Sequence, residues 1–164
     1  MKFAMNGSLI IGTMDGANVE IAEEIGQENM FIFGARADVV PGLRREREFF
    51  NVPEEFYTIV DQIRNGYFGW SDFFAPVCDA VCGARDFYLL ANDFNDYIRA
   101  QEEVDENYLN QALWTKKSIL SVAGSGKFSS DRTIRQYAED IWDVKPAKRP
   151  MPTNPKPYGK PHKM

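Results

Sequence analysis

The chain has 164 residues, 44% hydrophobic and 26% charged, which is the balance of a folded domain with a core of its own; its formal charge is −5. Six of its 19 basic residues fall in 145–164, which holds no acid, so the body is more acidic than the total shows. That excludes a nucleic-acid-binding domain, which needs clustered Lys and Arg. No apolar run has the length of a membrane span, and the run Leu9-Ile10-Ile11 behind Lys2 is far too short for a secretory signal, so a cytoplasmic protein is expected.

In chain order, Leu9–Thr13 predicts a short buried strand, and Asp15-Gly16 supplies the turn that follows. Asn18 is placed to cap a helix whose inner face carries Val19, Ala22 and Ile25, and Gly26 is placed to end it. Met30–Phe33 is a second continuous apolar run, closed by Gly34. Strand, helix and strand over 1–34 make a βαβ unit with parallel strands, buried on both faces and therefore not alternating.

Beyond Gly34 the pattern is helical. Phe56, Ile59, Val60 and Ile63 share a face behind Pro53, with Gly66 as the stop. Phe74, Val77, Cys78 and Val81 make a second amphipathic stretch before Gly83. Phe87–Leu90 reads as a strand or an extended connector, and Asn92 as the cap of a helix carrying Phe94, Tyr97 and Ile98. Leu113, Leu120 and Ala123 mark the next helix; Ile134, Tyr137, Ala138, Ile141 and Trp142 mark the last. From Lys145 onward six of the nine prolines arrive without apolar periodicity, the composition of a disordered basic tail over 145–164. Two strands are too few for a stable sheet, so the chain reads as the end of a larger α/β domain.

The motifs that invite a chemical reading are weak. Gly124-Ser125-Gly126-Lys127 lacks the earlier Gly and the following Ser or Thr of a phosphate loop, because Ser121 and Phe128 stand there. It reads as a helix end followed by a Ser129 or Ser130 cap, with an anion held at that cap beside Lys127 as the alternative. Gly12-x-x-x-Gly16 lies where dinucleotides bind but lacks their glycine spacing. His162 lies in the tail, which removes nucleophile–histidine catalysis. Cys78 and Cys82, on a helix-like stretch with no further Cys or His nearby, read as reduced thiols rather than metal ligands. Glu23-Glu24, Glu54-Glu55 and Glu102-Glu103 are adjacent on helices and diverge into solvent. The cluster Tyr67, Phe68, Trp70, Phe73 and Phe74 reads as core or interface packing.

Taken together, Met1-Lys2-Phe3, Asn6-Gly7 and the run Ile-Gly-Thr-Met-Asp-Gly-Ala-Asn-Val-Glu from Ile11 to Glu20 resemble glycogen (α-glucan) phosphorylases. So do Gly26–Gly34, Ser125–Ile134, Gln136-Tyr137-Ala138 and Ile141-Trp142, in the family's order; residues 92–118 are moderately similar and 35–90 only loosely. The resemblance implies two Rossmann-like domains facing a cleft, the glycosyltransferase B-type fold. Residues 1–144 would be the end of the C-terminal one: the βαβ unit 1–34, then a helical remainder 35–144. It implies pyridoxal 5'-phosphate held covalently on a lysine which, by position, is Lys2, the one catalytic and cofactor-binding residue carried over; no metal is implied. It further implies phosphorolysis of terminal α-1,4-glucosyl units by inorganic phosphate to glucose 1-phosphate, with the cofactor's own phosphate in proton transfer, and a homodimer.

The family's Gly-rich phosphate cradle, its phosphate-binding basic residues and its N-terminal domain have no counterpart here, so the chain alone is expected to be an inactive fragment. A lone lysine near a terminus otherwise reads as a solvated charge. Met1 and Phe3 beside Lys2 are expected to form an apolar wall, and the strand behind it a rigid support. The alternative from another class is a non-catalytic α/β-helical module that binds a partner through its sheet edge and aromatics.

Overall fold

A computed structural model describes residues 1–46, 52–145 and 147 of the chain. They form two compact units, one over Met1–Phe128 and a second beginning at Ser129. The first unit is mostly helical around a small parallel sheet.

Strand β1 (Ile11–Gly12) pairs in parallel with β2 (Phe31–Ile32), Ile11 opposite Phe31 and Gly12 opposite Ile32. The Phe31 N–H donates to Ile10 O at 2.8 Å and the Phe33 N–H to Gly12 O at 3.2 Å. Both strands are shorter than Leu9–Thr13 and Met30–Phe33 because each has a single hydrogen-bonding neighbour among the described residues. Helix α1 (Ala17–Ile25) connects them, which gives the expected strand, helix, parallel strand.

The start of α1 differs from expectation. Gly16, at φ +47, occupies the cap position, and Asn18 turns back to donate from Nδ2 to Thr13 O at 2.9 Å. Asn18 therefore ties the helix to the end of β1 instead of capping it. The turn moves the inner face by a residue: Ile21, Ala22 and Ile25 are buried and Val19 points outward. With Met30 they form a core on which Ile10, Met14, Ile32 and Phe128 pack. Full burial of a side chain the size of Ile21 stabilises by roughly 1.5–3 kcal/mol.

A second core gathers Phe56, Val60, Cys78 and Ala91. It lies where α3 (Glu54–Arg64) meets α4 (Ser71–Ala80) and the start of α5 (Leu90–Leu109), after the short α2 (Val40–Glu46). Pro53 begins α3 as expected, whereas Ile59 faces outward at 42% exposure. Cys78 is on α4; Cys82 lies beyond its end, and both thiols are free.

Phe87–Leu90 is neither strand nor extended connector. Leu89 takes a left-handed conformation, φ 61, and is buried, and α5 starts at Leu90. The carboxylate that caps α5 belongs to Asp86, which accepts from Leu90 N–H at 2.9 Å and Ala91 N–H at 2.8 Å. Asn92 sits one turn too late for that role; its Nδ2 donates to Asp93 instead. A buried carboxylate is tolerated there because it meets two otherwise unsatisfied amides at the positive end of the helix.

Asn110 ends α5 and caps α6 (Gln111–Gly124), its side chain accepting from Leu113 N–H at 3.1 Å. In the second unit α7 (Ser130–Asp140) follows Ser129 at the cap position, and Tyr137 meets Trp142 edge to face at 5.8 Å. Its predicted apolar face is present, with Ile134, Tyr137, Ile141 and Trp142 all exposed. Of the tail expected to be disordered, all but residues 145 and 147 lie outside the described residues, His162 among them.

Candidate functional site

Lys2 lies on a tight turn that runs into a 3-10 helix, Ala4–Asn6, rather than directly onto a strand. The carbonyls of residues 1–4 are all used within this segment. Met1 O accepts from Met5 N–H at 3.1 Å, Phe3 O from Asn6 N–H and Ser8 N–H, and Ala4 O from Gly7 N–H at 3.0 Å. Lys2 O accepts from Asn6 Nδ2 at 2.7 Å. Gly7 closes the 3-10 helix at φ +86, a conformation that glycine alone adopts cheaply. The carbonyls of the Lys2 turn are thus all hydrogen-bonded locally while the Lys2 side chain is exposed. Its amine makes no hydrogen bond or ion pair with the described residues.

The expected apolar wall is absent: Phe3 is 81% exposed and Met1 is exposed as well. Ala4 is the residue that turns inward, at 1% exposure. The small side chain lets the 3-10 helix lie close against α6.

The face that α6 presents to this segment is polar. Ser118 Oγ donates to Gly7 O at 2.8 Å. Lys117, buried, reaches Glu28 O with its amine and lies 5.5 Å from the centre of the Phe31 ring. Ser121 is buried and its Oγ has no hydrogen-bond partner among the described residues. The expected face of Leu113, Leu120 and Ala123 points outward. The inversion follows from what α6 covers: the carbonyls of Gly7 and Glu28 lose access to water beneath it and need donors, and serine and lysine supply them.

Gly124 explains the Gly-Ser-Gly-Lys motif. A Cβ there would lie 2.5 Å from Glu24 O and 2.9 Å from Ile25 Cγ2, so its absence lets α6 end against α1. Lys127 then pairs with the Glu24 carboxylate. The motif closes a helix–helix contact.

A cavity of about 660 Å³ opens beyond the carboxyl ends of β1 and β2, lined by Thr13, Asp15, Phe33, Arg44, Asp93 and Tyr97 among others. In parallel sheets that end is where ligands usually sit. Lys2 is not among its lining residues. Its floor is held by α5: Asp93 accepts from Ala35 N–H at 3.0 Å and Asp96 from Gly34 N–H at 2.7 Å. Arg99 joins Asp96 at 2.6 Å and Ile32 O at 2.8 Å. The guanidinium hydrogen bond, together with the Gly34 amide, holds the Asp96 carboxyl below the usual carboxylate range against the opposing effect of burial. Asp93, Asp96 and Arg99 went unnoticed in the sequence, although their spacing of three is legible as one helix face.

Burial pushes the Cys82 thiol up, with Arg64 pulling the other way. Cys78 is buried against Val60 O. Among the described residues no cluster of His, Cys, Asp and Glu has the makings of a metal site, and no helix is long and apolar enough to cross a membrane.

Sequence comparison decides the family. The profile described as carbohydrate phosphorylase matches residues 1–144. The chain belongs to the carbohydrate phosphorylase family. Similar relatives include the α-glucan phosphorylase H isozyme of Vicia faba, 53% identical over 157 residues, covering 92% of this chain and 18% of the relative. The cytosolic α-glucan phosphorylase 2 of Arabidopsis thaliana is 52% identical over 151 residues, 88% and 18% of the two chains. The chloroplastic/amyloplastic L isozyme of Ipomoea batatas is 50% identical over 153 residues, 89% and 16%. This phosphorylase chain therefore spans less than a fifth of the length of the relatives it matches. The Lys2 turn, the strand pair and the α6 contacts all fall within the matched residues of the phosphorylase family.

Proposed function

We propose that the chain is the carboxyl-terminal part of the catalytic machinery of an α-glucan phosphorylase, and that in the whole enzyme Lys2 is the residue to which pyridoxal 5'-phosphate is attached. The match over residues 1–144 carries this reading. The local geometry is compatible with it: a covalent attachment point needs an accessible amine on a supported backbone, and Lys2 has an exposed side chain on a turn whose carbonyls are hydrogen-bonded. Pyridoxal phosphate, when bound, supplies a phosphate group able to hand a proton to and from the substrate phosphate. Lys2 supplies the tether, the Met1–Ser8 segment fixes where the tether starts, and α6 sets that segment against the strand pair. The described residues around Lys2 hold no set of basic side chains for the two phosphates, so those fall to the rest of the enzyme.

On this reading the βαβ unit is the end of a Rossmann-like domain, and its unpaired strand edges continue into strands contributed from elsewhere in the whole protein. The reaction is phosphorolysis of terminal α-1,4-glucosyl units of an α-glucan by inorganic phosphate to glucose 1-phosphate, in a homodimeric enzyme. A cytoplasmic location agrees with the cytosolic relative. The 164-residue chain alone is inactive on this reading.

The test is a full-length enzyme in which residues 1–144 replace the matching segment of the Vicia faba relative. After loading with pyridoxal phosphate and borohydride reduction, the label is expected on the peptide containing Lys2. Label on Lys116, Lys117 or Lys127 with Lys2 unmodified overturns the assignment.

A further inference from the structure

We propose that Asn6 and Ser118 are positioning residues for Lys2, acting as a two-point clamp that fixes the direction in which its side chain leaves the backbone. The proposal rests on the reading of Lys2 as the attachment lysine and adds two residues whose hydrogen bonds go to the backbone of its turn. The first point is internal to the turn. Asn6 Nδ2 donates to Lys2 O at 2.7 Å and is the side chain that satisfies the carbonyl of the lysine itself. The second point ties the turn to the body. Ser118 Oγ donates to Gly7 O at 2.8 Å across 111 positions of sequence.

Between the two points little freedom is left. Gly7 sits at φ +86, its N–H on Ala4 O, and Ala4 is buried against its neighbours. A Cβ at Gly7 would meet Ser118 Oγ at 2.8 Å, so the serine lies directly over the closing residue of the turn. The side chain of Lys2 is long and exposed, with several free torsions, so nothing at its tip orders it. Order at its base is what the chain can supply. A residue that reacts from a fixed base gains effective concentration at its target, and a displacement of an ångström there is costly. Valine or alanine at 118 would leave Gly7 O without its partner and the turn without its tie to α6.

The experiment uses the same full-length enzyme, stripped of cofactor and reloaded. Asn6→Ala and Ser118→Ala are each expected to slow reloading by about tenfold, the weight of one hydrogen bond of this kind, with the label still on Lys2 after reduction. Ser118→Thr, which keeps the hydroxyl, is expected to restore the rate. The near-ultraviolet absorbance and the pH profile of cofactor attachment should shift in the Ala variants and return in Ser118→Thr, and melting of the stripped enzyme separates these effects from loss of fold. Wild-type reloading in both Ala variants, with Lys2 labelled, overturns the clamp and leaves the function standing. Failure of Ser118→Thr to recover what Ser118→Ala loses also overturns it. Absence of label on Lys2 in the unsubstituted enzyme overturns the function and the clamp together.

Discussion

The backbone N–H of Gly34 donates to the carboxylate of Asp96 at 2.7 Å, joining residues 62 positions apart. Gly34 follows β2 at φ +81 and Asp96 lies in the second turn of α5. The contact turns the end of a strand into the start of a cavity floor, and Arg99 locks it by holding Asp96 and Ile32 O at once.

Stability should respond to acid through this contact. The Asp96 carboxyl is held below its ordinary value, chiefly by Arg99, so its contribution is present above the unfolded-state pKa and is lost as pH falls through the lower folded-state value. Asp96→Asn is expected to lower stability at neutral pH and to flatten the acid limb of a denaturation-versus-pH curve. An unchanged acid limb in the variant would count against the assignment.

Gly124 should not tolerate a methyl group. Alanine there would drive Cβ into the backbone carbonyl of Glu24, which cannot give way without moving the end of α1. Gly124→Ala is expected to cost about 1–3 kcal/mol, the usual range for an overpacked contact, read as a drop in denaturation midpoint. Gly126, with open space around it, serves as the control: Gly126→Ala should shift the midpoint little.

Asp86 should matter more than any other cap. Removing its carboxylate leaves the amides of Leu90 and Ala91 without partners where they begin α5. Asp86→Ala is expected to destabilise by about 1–2 kcal/mol, whereas Asn92→Ala, the cap expected from sequence, should be nearly neutral. Circular dichroism melts of the two variants make the comparison directly.

The two thiols should differ. Cys82 is partly exposed but its thiol is raised by burial, so the thiolate fraction at neutral pH is small. Cys78 is 1% exposed. A maleimide reagent is expected to modify Cys82 slowly, faster as pH rises, and Cys78 only on unfolding. Fast labelling of Cys78 in the folded chain would contradict the packing of α4 on α3.

Much of the fold was legible where a residue acts through its own backbone. Gly26 ends α1 and Pro53 begins α3 because φ preferences are local. The continuous apolar runs around Ile11 and Phe31 marked the parallel strand pair, but not its burial: Ile11, Gly12 and Ile32 are half-buried and Phe31 alone of the paired residues is fully buried. Reading failed where a polar side chain chose between near and distant partners. Asn18 prefers Thr13 O to the helix start, and Asp86 outcompetes Asn92 because its carboxylate is buried where the first amides of α5 point. The inner face of α6 was hidden because its contacts with the rest of the unit are made largely by polar residues: Lys117 and Ser118 donate to the carbonyls of Glu28 and Gly7, with Trp114 stacked on Phe31 as the apolar part. The proposal for Lys2 comes from family resemblance alone; the exposure of its side chain and the hydrogen bond on its carbonyl could be read only from the fold.

Lys117 has a consequence of a practical kind. Its amine is shut between α6, Glu28 O and the Phe31 ring, while Lys2 stands in solvent on the neighbouring turn. One chain therefore carries two primary amines with opposite access to water. A reagent such as acetic anhydride should mark Lys2 within the dead time of mixing and Lys117 only when α6 lifts from the strand pair. The ratio of the two marks is a built-in gauge of how often that lifting happens.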